Sequence, residues 1–400
     1  MTANMPSLPS ELHGINISSH TKNVRSFPAG EVIFDAGQKG GEMFLILEGE
    51  ILIALETAEI DRLGPGDIFG EMALVENGTR SARAIATAAS KLLCLGRVQF
   101  ADLLRESPDF ALHVMSVMSA RIRKFMGEEV RRQRLEEEMR IGREIQLSLI
   151  PDACPGLHGW DFAAAYHAAR EVGGDFYDFV FVPQNADDMQ LVVADVTGKG
   201  VPAALFMASC RTTIRSEAIR GNGPAATLTC ANRVIALDTH FPLFLTVFCA
   251  RLNSQSGSVS YANGGHERPL LLRAKTGLTE SLISHNPLLG FTSAIEYKEH
   301  AIELEAGDFL ICFTDGVTEA RNEQGEFYGD ERLQMLVESE EWQSADDLLR
   351  GIVDSVAAFS DGCQPADDLT LVVARRVDSK MLSPANSISA SGSTVRNHGF

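Results

Sequence analysis

Four times between residues 170 and 370 a strongly apolar run starts or stops at an aspartate with glycine or a second aspartate within three residues of it. "EVGGDFYD" sets Asp175 after a glycine pair, "LVVADVTGKG" and "FLICFTDGVTE" end apolar runs at Asp195 and Asp315, and "PADDLTLVV" sets Asp367 and Asp368 before the last run. A buried strand has no use for an unpaired carboxylate, because burying a charge without a partner costs several kcal/mol. Strand ends project side chains into a shared rim, so acids from several strands can converge there. An all-carboxylate set suits hard divalent cations, magnesium or manganese, and neighbouring glycines let backbone carbonyls or metal-bound waters come close. One Asp-Gly pair alone is an ordinary turn. Four such sites, each at the edge of an apolar strand, point to a metal centre.

The surroundings of these acids set the fold class. From residue 155 onward strands and helices alternate ("WDFAAAYHA", "FYDFVFV", "MQLVVADV", "PAALFMASCRTTIRSEAI", "FLTVFCARLN"), which describes an α+β domain of roughly 220 residues. From 27 to 99 the texture is different. Short apolar runs alternate with turns marked by Gly30, Gly37, Gly40, Gly49, Gly64, Gly66 and Gly70, the spacing of a small all-β barrel or roll. Between the two, residues 113–150 are rich in charge, with a broken apolar stripe at Val130, Leu135, Met139, Ile145 and Leu149. They are expected to form one long helix or two stacked ones, ended by Pro151, serving as a solvated connector or as a dimeric coiled coil. The expected organisation is multidomain α+β: a flexible tail at 1–20, a β-roll with flanking helices at 21–120, a helical linker at 121–150, a two-sheet domain at 151–376 and a Ser-rich disordered tail at 377–400.

Composition closes off several classes. The 400-residue chain carries a formal net charge of −19, the wrong sign for wrapping nucleic acid. Its seven cysteines are scattered, without the paired spacing of a zinc site, and read as small buried hydrophobes in a reducing compartment. No secretory signal and no apolar run of membrane-spanning length is visible. The expected location is cytoplasmic, with no membrane partner.

"REVGGDFYDF", "VVADVTGKGVPAALFMA", "YANGGHERPLLL", "CFTDGVTEARN" and "DDLTLVV", in this order and spacing, resemble the SpoIIE-type branch of the metal-dependent protein phosphatase (PPM) superfamily. These are bacterial serine/threonine phosphatases that act on anti-sigma-factor antagonists. The resemblance covers about 140–376. It implies an αββα sandwich holding two manganese or magnesium ions, with Asp175, Asp195, Asp315, Asp367 and the backbone carbonyl of Val196 as ligands and Asp195 bridging. Asp178 and Asp368 are expected as supporting acids behind them. It also implies in-line attack of an activated water on phosphorus, with no Cys or Ser nucleophile. His167 and His266 are candidates for protonating the leaving group and are left unassigned. Ala168, Gly264 and Glu267 depart from the residues usual in the family, and none of them is a proposed ligand.

In the front half, "IFGEMALVENGTRSARAIA", with the upstream "FPAGEVIFDAGQKGGEMFLILEGEILI", resembles the phosphate-binding cassette and β-roll of cyclic-nucleotide-binding domains, over about 20–120. An acid can accept ribose hydroxyl protons and an arginine fork can hold a phosphate in two-point fashion. The resemblance implies Glu71 on the ribose and Arg80 on the cyclic phosphate, with Gly70, Ser81 and Ala82 around them, and cyclic AMP as first choice of ligand. A base-capping residue is expected from the helix after 100. Thr79 and Arg83 depart from the usual cassette.

The combined reading is a sensor joined to an effector, dimeric through the linker helix. Its rivals are a silent nucleotide-sensing scaffold, against which all four acids speak, and a transcription regulator, which needs a basic helix-turn-helix where this chain has acids and strands.

Overall fold

A computed structural model describes residues 23–55, 58–72, 78–238, 243–283, 286–378 and 394–395. The tail expected at 1–20 lies outside the described residues, as does that at 377–400 apart from 377–378 and 394–395. The chain divides into two compact units, residues 1–134 and 135–400.

The described residues of the first unit form the strands β1 (Val24–Phe27), β2 (Val32–Phe34), β3 (Glu42–Glu48), β4 (Ile51–Leu55), β5 (Ala58–Leu63), β6 (Ile68–Phe69), β7 (Arg83–Ala86) and β8 (Ser90–Gly96). They form two four-stranded antiparallel sheets, ordered β1-β8-β3-β6 and β2-β7-β4-β5. Alternation along β3 explains the packing. Phe44 and Ile46 point inward with Phe34, Ile51 and Phe69. Met43, Leu45 and Leu47 point outward, against α1 (Arg97–Glu106) and the start of α2 (Pro108–Leu149). The roll is therefore a two-sided structure with a helical cover.

Of the two linker expectations, the structure has the single helix. The 42 residues of α2 run unbroken through Gly127 and Gly142, where an added Cβ would meet nothing within 4 Å. Glycine in a helix interior costs roughly 1 kcal/mol relative to alanine, which a long helix tolerates. The helix starts at Pro108, five residues before the expected 113, with the Ser107 hydroxyl accepting from Phe110 N at 3.3 Å. Serine at the cap followed by proline at the first helical position is a standard start signal.

The second unit has β9 (Trp160–His167), β10 (Phe176–Val182), β11 (Asn185–Val196), α3 (Val201–Ile219), α4 (Pro224–Asp238), β12 (Leu245–Asn253), β13 (Ser258–Gly264), β14 (Leu270–Arg273), β15 (Leu278–Ser281), β16 (His300–Glu303), β17 (Phe309–Phe313), α5 (Asp315–Thr318), α6 (Gly329–Ser339), α7 (Ala345–Phe359), β18 (Leu369–Arg376) and β19 (Thr394–Val395). One sheet is ordered β10-β11-β12-β13-β16 and the other β15-β14-β17-β18-β9-β19. Leu310, Cys312, Val372 and Ala374 face the first sheet across the shared core. Their neighbours Phe309, Ile311, Leu371 and Val373 face α6 and α7, and α3 and α4 cover the outer side of the first sheet. Four layers, helix-sheet-sheet-helix, follow from this two-sided apolarity. Among the described residues no helix is long and apolar enough to cross a membrane.

Candidate metal centre and nucleotide pocket

The register of β10 with β11 pairs Phe176 with Ala194, so the next step outward sets Asp175 opposite Asp195. On the other sheet, β17 ends one residue before Thr314 and leads into Asp315, and Asp367-Asp368 directly precede β18. The two sheets thus deliver their acids to the same end of the sandwich.

Asp175 is fully buried. Its Oδ2 accepts from Thr314 Oγ1 at 2.6 Å and from Thr370 Oγ1 at 2.8 Å, so two hydroxyls of the second sheet fix a carboxylate of the first. Burial pushes the Asp175 carboxyl well above the usual range, and the charge of Asp195 adds to it. Asp195 is pushed up to about 6, first by burial and then by Asp367 and Asp368. Asp315 rises to about 7, through burial and the charges of Asp195 and Asp367. These acids feel one another, as carboxylates sharing one rim must.

The glycine pair of "EVGGD" has a steric reason. A Cβ on Gly173 would lie 2.4 Å from Asp368 Oδ2 and 2.5 Å from the Tyr166 hydroxyl, and one on Gly174 would lie 2.8 Å from the Val196 carbonyl oxygen. Asp368 accepts from the Ala169 and Gly174 N–H groups at 2.8 and 2.6 Å, so it anchors the loop that carries Asp175. Asp178 is not brought to this rim. Its carboxylate is held by Arg215 at 2.6 Å and Arg211 at 3.1 Å, both on α3.

Among the described residues no three His, Cys, Asp or Glu side chains are already gathered closely enough to hold an ion. One reason is visible: Lys199, in the Gly-Lys-Gly turn after Asp195, pairs with Asp367 at 2.8 Å. Sequence reading overlooked this cation. The donor chemistry nevertheless fits hard divalent ions. The acids and the Val196 carbonyl offer only oxygen, and the buried carboxylates repel one another until positive charge arrives. His266 is not a proton donor at neutral pH. It is buried, its Nδ1 lies 2.8 Å from Thr246 Oγ1, and burial pushes the imidazole down to about 3.

These shifts set a pH dependence. Asp195 and Asp315 have folded pKa values above the unfolded carboxylate value, so between about pH 4 and 7 the folded state binds more protons than the unfolded state. Their contribution to stability is complete below that window and is lost as pH rises through it. Divalent ions compete with the same protons. Thermal unfolding in EDTA and in manganese, between pH 5.5 and 8, is expected to show a manganese-induced stabilisation that grows with pH. A stabilisation independent of pH would mean that these acids do not form the cation site.

In the first unit a cavity of about 290 Å³ is lined by Gly70, Glu71, Arg80, Ser81 and Ala82, together with Arg121 of α2. All five residues expected from the sequence line it. Arg80 lies 4.1 Å over the Phe34 ring and donates to the Gly70 and Glu42 carbonyls at 2.8 and 2.7 Å. Glu71 is buried and pairs with Arg121 at 3.0 Å, and Arg121 also donates to the Ile68 carbonyl. Arg121 went unrecognised in the sequence, where one arginine on a charged helix resembles any other.

The profile of the stage II sporulation protein E (SpoIIE) family matches residues 185–377, and that of the cyclic nucleotide-binding domain matches residues 24–107. The chain is 32% identical over 270 residues to the phosphoserine phosphatase RsbU of Bacillus subtilis, covering 68% of this chain and 79% of that protein. It is 32% identical over 105 residues to the cyclic AMP receptor protein of Thermus thermophilus, covering 25% of this chain and 49% of that protein. The solved PP2C domain of SiaA from Pseudomonas aeruginosa superposes with a TM-score of 0.54 at 21% identity, covering 62% of this chain and 98% of that domain, a likeness of fold.

Proposed function

The chain belongs to the SpoIIE-type family of protein phosphatases and carries a cyclic-nucleotide-binding domain ahead of its phosphatase domain, and from that premise we propose that it removes phosphate from a seryl or threonyl residue of an anti-sigma-factor antagonist under control of a cyclic nucleotide. The observation that carries the reading is the buried carboxylate rim, where acids from both sheets raise one another's pKa. Asp175, Asp195, Asp315, Asp367 and the Val196 carbonyl would hold two divalent cations, manganese or magnesium. Bound there, such ions supply an acidified water and neutralise phosphate oxygens. Thr314 and Thr370 aim Asp175, and Asp368 fixes the loop before it. His266, which burial keeps neutral, is not assigned to the leaving group, and His167 carries no assignment either.

In the roll, Arg80 is assigned to the cyclic phosphate and Glu71 to the ribose, with cyclic AMP as ligand. Ligand bound at Glu71 meets Arg121, so occupancy is felt by α2. This helix exposes Met115, Ile122 and Phe125, spaced by seven and three residues as along a coiled-coil seam, while Met118 between them packs on the roll. A second copy of the chain is the occupant we assign to that seam.

The test is hydrolysis of p-nitrophenyl phosphate and of a phosphorylated antagonist, with manganese or EDTA, with and without cyclic AMP. Activity that is independent of divalent ions would end the metal reading. Equal activity across a full nucleotide titration would end the regulatory one. Arg80→Lys keeps the charge but loses the two-point fork. A charge-assisted hydrogen bond contributes about 1.5–3 kcal/mol, so titration calorimetry is expected to show cyclic AMP affinity about 10- to 100-fold lower in this variant.

A further inference from the structure

Gln146 lies one turn from the end of α2, and it is buried although it is a polar residue on a charged helix. Both halves of its carboxamide meet the same residue. Nε2 donates to the Gly173 carbonyl at 2.6 Å, and the Gly173 N–H donates to Oε1 at 3.0 Å. The side chain pairs with Gly173 as a neighbouring strand would, and a residue held at both its N–H and its carbonyl cannot turn without breaking a bond. Gly173 is pinned on its other side by the Asp368 carboxylate and the Tyr166 hydroxyl, which stand where its side chain would be. Gly174 gives its N–H to Asp368 at 2.6 Å, and Asp175 follows.

We propose that Gln146 is a positioning residue for the cation site: it ties the end of α2 to the loop that aims Asp175, so that divalent affinity depends on the rotational setting of the helix. The proposal rests on the reading of Asp175 as a cation ligand. A leucine would fill the same space, so packing alone does not call for glutamine here. What only the carboxamide supplies is the simultaneous donor and acceptor for a buried peptide group. Turning α2 about its axis carries Gln146 away from Gly173 and leaves the N–H and the carbonyl of that residue unpaired, so the loop must follow the helix or lose its register.

The experiment measures manganese binding to the full-length protein by titration calorimetry at neutral pH, alongside thermal unfolding in EDTA. The variants are Gln146→Leu, Gln146→Glu, Asp175→Asn and, as a remote destabilised control, Ile352→Val in α7. Partners behind metal ligands typically change affinity by about 10- to 100-fold, and that loss is expected for Gln146→Leu, with kcat recovering at saturating manganese. Gln146→Glu keeps the acceptor for the Gly173 N–H but sets a carboxylate against the Gly173 carbonyl, and a loss is expected there too. It decides the matter if the leucine variant does not fold. Ile352→Val is expected to bind manganese as the wild type does. Wild-type affinity in the Gln146 variants, beside a lost site in Asp175→Asn, overturns the inference and leaves the reading of Asp175 standing. An affinity loss in Ile352→Val equal to that of Gln146→Leu also overturns it, as general destabilisation. Unchanged binding in Asp175→Asn overturns that reading and the inference with it.

Discussion

Replacing Asp195 by asparagine is expected to lower phosphatase activity about a thousand-fold while leaving the metal-free protein at least as stable as the wild type. Divalent ions stabilise charge in the transition state by several kcal/mol, and roughly 4 kcal/mol corresponds to about three decades in rate. The stability half of the expectation comes from the rim. Asp195 stands at the end of β11 near Asp175, Asp315, Asp367 and Asp368; its charge raises the pKa of Asp175 and Asp315, and its own is raised by Asp367 and Asp368. An amide of the same shape removes one charge from a group that lacks enough positive partners. Assays with manganese and melting curves in EDTA check both halves. A variant that is inactive and also melts well below wild type in EDTA would show that Asp195 serves packing rather than cation binding.

Gly316→Ala is expected to be the most damaging substitution of a single methyl group. A Cβ there would stand 1.9 Å from the Asp368 carbonyl oxygen and 2.7 Å from its carbon. Both are backbone atoms of the segment that opens β18, and neither can rotate aside. Overpacking a closely packed site costs typically 1–3 kcal/mol, and contact with rigid backbone belongs at about 3 kcal/mol or above. The clash also separates Asp315 from the Asp367-Asp368 pair, so activity should fall even at temperatures where the variant is folded. Gly127→Ala in α2, where the added methyl meets open space, should instead stabilise by about 1 kcal/mol. Urea unfolding of both variants, with activity measured in parallel, separates steric cost from helix propensity. If Gly316→Ala matches the wild type in both measurements, the close approach of α5 to β18 is not as tight as described.

Much of this was readable before any coordinates. Strands that are apolar at consecutive positions, such as β17, announce a sheet covered on both faces, and the four aspartates announce themselves at the ends of such runs. The start of α2 is written in Ser107-Pro108, five residues ahead of 113. What stayed hidden depends on register between distant segments. Thr314 and Thr370 look like ordinary strand threonines until the two sheets close on Asp175. Lys199 looks like part of a turn until it reaches Asp367. Gln146 and Arg121 sit among many polar residues on α2, and nothing local separates them from neighbours that only meet water. Gly173 and Gly174 were noticed, yet the atoms that exclude their side chains belong to residues 368, 166 and 196.

The hydroxyl clamp on Asp175 also bears on how the protein is made. Its two bonds span 139 and 195 residues of chain, so they are among the last contacts that synthesis from the N-terminus permits. A ribosome that has released everything up to residue 365 has produced the roll, α2 and the whole first sheet, but neither β18 nor Thr370. Such a nascent chain carries a complete roll and an unassembled second unit. A chain cut short before β18 therefore lacks Thr370, Asp367 and Asp368 together, and the carboxylate of Asp175 is left with neither of its two hydroxyls held in register.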